Sequence, residues 1–143
     1  MKNQVQLSSG ALLTVNTYKM YANINYHYPQ EHTDACWPGW ISPTNMHNAN
    51  TRKMLMIEAI STGSRAYQRV PGAEPIGFVI EVEILNSFQP EYIYGASIKS
   101  HLDKWDRMKG LKVAYADLMS SSSLSTLTKA ERRKIAEIVG LCN

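Results

Sequence analysis

Metal-capable side chains gather between residues 27 and 47, where His27, His32, Cys36 and His47 stand with Glu31 and Asp34 nearby. A zinc site needs three or four such ligands converging at about 2.0–2.3 Å. The run His-x4-His-x3-Cys-x10-His fits no zinc-ligand spacing, and it crosses a segment broken by Pro29, Pro38 and Pro43. These residues therefore read as polar loop positions, with Cys36 beside Trp37 in the core, and neither a metal nor another cofactor is expected.

A second constellation is Ser61-Thr62 followed by Glu81-x-Glu83. It resembles the Ser-Thr-Ser and Glu-x-Glu motifs of ADP-ribosyltransferases, in which a glutamate holds the nicotinamide ribose and stabilises an oxocarbenium-like transition state. The resemblance covers a handful of residues. Gly63 stands where the third motif residue would be, the interval to the glutamates is short, and the pair falls within a strand. Alternating Glu on a strand is ordinarily its solvent face. No Gly-x-Ser-x-Gly elbow and no phosphate-binding glycine loop occurs. His101, Asp103 and Asp106 read as surface residues of a helix, paired as Lys99–Asp103 and Asp103–Arg107. No catalytic residue is assigned.

Two features suit recognition better. Trp37-Pro-Gly-Trp40 sets two large amphipathic rings on either side of a rigid turn, and Trp is enriched at binding hot spots. The alternative for this pair is a cap over the sheet. Arg107, Lys109, Lys112, Lys129, Arg132, Arg133 and Lys134 would form one positive surface if the last two helices lie side by side, suited to phosphate or to a protein groove that binds it. A solvated helix face accounts for the same charges.

These residues need a frame. The 143-residue chain is 44% hydrophobic and 19% charged, with 8 Gly and 6 Pro, which excludes a disordered tail or a collagen-like repeat. Its length gives one ordinary domain with a self-sufficient core. Net charge is +3; residues 1–71 hold 6 basic and 3 acidic side chains, residues 72–143 hold 9 of each. Strong nucleic-acid binders carry a larger excess, so only a weak phosphate contact is expected. Two cysteines, Cys36 and Cys142, suit a reducing cytoplasm. Met1 to Ala11 lacks the apolar core of a signal peptide, and runs such as Met54 to Ile57 fall far short of a membrane span.

Periodicity supplies the elements. Tyr18, Met20, Ala22, Ile24, Tyr26 and Tyr28 alternate with mainly polar neighbours, a half-buried strand that Leu13 and Val15 either join or precede. Ile76, Phe78, Ile80, Val82 and Ile84 make a second strand, with Glu81 and Glu83 on its other side. A helix is predicted over 51–60, with Met54, Ile57 and Ile60 or Ser61 on one side and Gly63 as its stop. Another is predicted over 94–109 from the stripe Tyr94, Ile98, Leu102, Trp105 and Met108, with Gly110 ending it. Leu111 to Met119 fits either a strand or a helix. Thr128-x-x-Glu131 is a capping box for a last helix over 129–139, too short to hold without docking on the body or on a partner.

The expected fold is α+β, a small, mostly antiparallel sheet packed by two or three helices. The expected organisation is a globular domain over 1–119, a Ser-rich tether over 120–127 and a C-terminal amphipathic helix over 128–143. The profile, small and without a catalytic motif, resembles anti-defence proteins of phages and plasmids such as anti-CRISPRs, although no motif of that group is present. It implies a non-catalytic cytoplasmic binding protein that occludes a site on a larger protein or nucleoprotein complex, with no membrane partner. An ADP-ribosyltransferase-like enzyme and a direct nucleic-acid-binding module are the alternatives, and exposed sheet edges leave homodimerisation open.

Overall fold

The computed structural model describes residues 3–24, 40–41, 46–65, 72–86, 89–100 and 102–141. The chain is α+β. Its elements are β1 (Gln4–Gln6), β2 (Leu12–Ile24), β3 (Trp40–Ile41), α1 (Ala49–Thr62), β4 (Glu74–Leu85), β5 (Pro90–Ile98), α2 (Arg107–Met119), a 3-10 turn (Ser122–Leu124) and α3 (Lys129–Val139). The antiparallel sheet runs in the order β1-β2-β4-β5. The short β3 joins β2 in parallel, Trp40 opposite Asn23.

Two compact units divide the chain. One holds 1–17, 80–97 and 108–143; the other holds 18–79 and 98–107. In the first, β1 folds back on β2 with Gln4 opposite Thr14, through a turn in which Gly10 takes φ 95°. The sheet buries Val5, Leu13, Val15, Ile80, Val82, Ile84 and Ile93, and the helices bury Leu111, Ala114, Leu118, Ile135 and Val139. Tyr115 Oη donates to the Arg132 carbonyl at 2.9 Å, which puts α2 and α3 side by side. Where α2 crosses β5, backbone nearly meets backbone. A Cβ built on Gly95 would lie 2.5 Å from the Leu118 nitrogen and against the Ala114 carbonyl.

The serine-rich segment is a folded turn. Ser121 Oγ accepts from the Ser123 N–H, Leu124 is fully buried, and Ser123 Oγ donates to Glu91 at 2.8 Å. After it α3 opens with the expected capping box on Thr128 and closes on Gly140 in the left-handed region.

In the second unit, Asn48 caps α1 by accepting from the Asn50 N–H, and Gly63 ends the helix at φ 63°. Ser64 follows at φ 70°, a conformation that non-glycine residues rarely adopt. Its Oγ accepts the Lys19 N–H at 2.7 Å, tying the helix end to β2. Phe78 and Trp105 pack with ring centroids 5.3 Å apart.

Two expectations need correction. The helix over 94–109 does not form: 90–98 is strand and α2 begins at Arg107. The stripe Tyr94, Ile98, Leu102, Trp105, Met108 matched helical spacing by chance, and Leu102 is 83% exposed. The chain instead follows the β-prone alternation of Tyr92, Ile93, Tyr94. Gly110 lies inside α2, and the ambiguous Leu111 to Met119 is helical. In α1 the buried stripe is Thr51, Leu55 and Ala59, while Ile57 is half exposed. Met54-Leu55-Met56-Ile57 is apolar on every side, so spacing alone could not choose the inward face.

Gly95 gives the first test. Alanine there forces the α2 backbone away from β5, an overpacking cost of about 1–3 kcal/mol. Urea unfolding of Gly95→Ala against the wild type is expected to show that loss; equal midpoints would refute the close approach.

Candidate partner-binding surfaces

The basic residues separate by role. Lys109 and Lys112 are exposed on α2, and Lys129, Arg133 and Lys134 are exposed on α3. These five lie in the first unit on neighbouring helices, whereas Arg107 belongs to the second unit. Arg132 is different. Its guanidinium donates to the Leu124 and Ser125 carbonyls at 3.4 and 3.3 Å, and its Nε is buried without a hydrogen-bond partner. Arg132 thus holds the serine-rich turn against α3.

The acids of these helices face inward or are paired. Asp117 accepts the Ala96 N–H at 2.9 Å. Glu131 accepts from Thr128 N–H at 2.8 Å with one oxygen and from Ser8 N–H at 2.7 Å with the other. Those hydrogen bonds, Thr128 first and then Ser8, hold its carboxyl below the usual carboxylate range. Glu137 lies 3.7 Å from Arg133. The outward helix surface is therefore positive, with Met108 and Val113 exposed among the lysines of α2.

The strands of the same unit carry the opposite charge. β1 and residues 12–17, 80–85 and 90–97 include Glu81, Glu83 and Glu91 and neither Lys nor Arg. Tyr92 Oη donates to Glu83 at 2.8 Å across β4 and β5. Two residues further along each strand, alternation sets Glu81 and Tyr94 on the same side. Tyr92, Tyr94 and Leu85 are 49%, 40% and 47% exposed. Glu83 raises the Tyr92 phenol pKa, first by accepting its hydrogen bond and then by its charge; Glu81 adds to the effect. An open groove of about 580 Å³, lined by Ser9, Gly10, Ala11, Leu85 and Asn86, adjoins this side at Leu85.

The helical reading of 94–109 hid Tyr94 at its first position and gave Tyr92 no role. The period-two run Glu91 to Tyr94, read beside Glu81-x-Glu83, was the signal available.

The remaining candidates fall as follows. Trp37 lies outside the described residues, as do His27, His32, Cys36, Glu31 and Asp34. Of Trp40 the backbone is described, in β3. His47 is exposed in the turn before α1, and among the described residues no three His, Cys, Asp or Glu side chains are placed to hold a metal ion. Ser61 and Thr62 close α1, both hydroxyls donating to the Glu58 carbonyl. Among the described residues no helix is long and apolar enough to cross a membrane. The chain matches no family model, no curated protein and no solved structure.

Glu131 makes stability depend on pH. Its folded pKa is below the unfolded value of about 4.3, so its contribution is complete above that pH and is lost as pH falls through the folded value. Glu131→Gln is expected to melt below the wild type at pH 7 and to converge with it in acid. Parallel melting curves from pH 7 to 3 would show that the carboxylate contributes nothing.

Proposed function

We propose that this chain is a non-catalytic binding protein that covers a site on a larger, nucleic-acid-handling protein complex, in the manner of anti-defence inhibitors such as anti-CRISPRs. One observation carries the reading. Adjacent helices α2 and α3 present Lys109, Lys112, Lys129, Arg133 and Lys134 outward, while Asp117 and Glu131 are turned to backbone N–H groups. A positive surface with exposed Met108 and Val113 among its lysines suits a protein groove that otherwise receives other cationic or apolar groups. It is also a surface for phosphate, so direct nucleic-acid binding is the rival reading.

Five surface cations concentrate an electrostatic attraction that speeds encounter and fixes orientation. Exposed apolar groups between them add contact area that salt does not screen. A contact combining both resists salt better than one made of phosphate pairs alone. The reading places the activity in a cytoplasm, where the partner would be met.

The test is affinity capture from a lysate of the source cell, with and without nuclease, using wild type, Lys112→Glu/Arg133→Glu and Trp40→Ala. The expected outcome is one stoichiometric protein complex that survives nuclease and is lost in the charge-reversed variant. Recovery of nucleic acid alone, released as salt rises, would replace this reading with a direct binding module.

A further inference from the structure

The positive helix surface leaves the acidic, aromatic side of the sheet unused. We infer that the face formed by Glu81, Glu83, Tyr92, Tyr94 and Leu85 is a second binding surface, which receives an arginine-bearing segment of a partner protein.

Charge complementarity names the occupant. The strand segments of this unit bring Glu81 and Glu83 to the face and carry neither Lys nor Arg, Lys19 of β2 belonging to the second unit. Among the described residues, the unit's cations sit on α2 and α3, with Arg132 committed to the serine-rich turn. A cation arriving at the face therefore meets two carboxylates that have no ion pair with a described residue. Tyr92 donates to Glu83 at 2.8 Å, which orients the carboxylate and fixes the ring beside it. A planar guanidinium can then pair with the carboxylate while lying on a phenol ring, a combination that favours arginine over lysine.

The mode of docking follows from the edge of β5. An incoming strand would need the outward N–H groups of β5, but Asp117 already takes that of Ala96. Glu91, at the other end of the strand, is held by Ser123. With both ends of the edge engaged in this way, side chains on the face offer the broader contact. The open groove of about 580 Å³ beside Leu85 gives room for the aliphatic stem of the arginine or for an apolar neighbour.

The experiment is fluorescence anisotropy of a short labelled peptide alternating Arg and Ser, with Lys–Ser and Glu–Ser peptides alongside. The Arg peptide is expected to bind about tenfold more tightly than the Lys peptide, because only the guanidinium stacks. Tyr92→Ala/Tyr94→Ala and Glu81→Gln/Glu83→Gln should each weaken it by about tenfold. Lys112→Glu/Arg133→Glu should leave it bound, which separates this face from the helix surface. The melting temperature of the tyrosine variant, checked against the wild type, separates loss of the rings from loss of the fold, and the glutamate variant, which keeps both rings, tests the face independently. Equal binding of Arg and Lys peptides, or full binding by the tyrosine variant, would overturn the inference. So would concentration-dependent self-association abolished by the same tyrosine changes, since the occupant would then be a second copy of the chain.

Discussion

One carboxylate joins the two ends of the unit that carries both surfaces. Glu131, 8% exposed, uses one oxygen to complete the capping box of α3 and the other to hold the Ser8 N–H. A helix of eleven residues is marginal by itself, because nucleation costs more than so few hydrogen bonds return. The second hydrogen bond changes its situation by coupling the first turn of α3 to the turn between β1 and β2. Ile135, Ala136 and Val139 then bury against the body, and Tyr115 fixes the neighbouring helix to the Arg132 carbonyl. The spacing of the cations on α2 and α3 depends on that anchoring.

Charge in this unit is sorted by layer. The strands are acidic and the helices basic, although the whole chain has a net charge of only +3. Sorting of this kind does not improve packing, since exposed charges in water contribute little to stability. Arg132, Asp117 and Glu131 are each directed at backbone groups. The others are left outward, where the partner-binding reading draws on them.

The sequence was most legible where period and local chemistry agreed. Alternation gave β4, the Thr128–Glu131 pair gave α3, and Gly63 gave the end of α1, because each signal is set by backbone geometry within a few residues. It was least legible where apolar residues satisfied two periods at once. Tyr94, Ile98 and Trp105 lay on a helical stripe, but Gly95 had to be strand for α2 to approach, a requirement written in residues about twenty positions further along. The basic surface was readable as composition, but its inward member, Arg132, was not. Which guanidinium turns toward carbonyls depends on the serine-rich turn being folded, and four consecutive serines carry no periodicity to announce it.

The Ser8–Glu131 hydrogen bond spans 123 positions of sequence. On the ribosome, β1 and β2 are made long before the residue that clamps them exists. The packing of α3 on β1 must likewise wait, and a contact so distant along the chain closes slowly. The first unit is therefore completed only after α3 has been made. A chain cut short before α3 would present those strands without their cover.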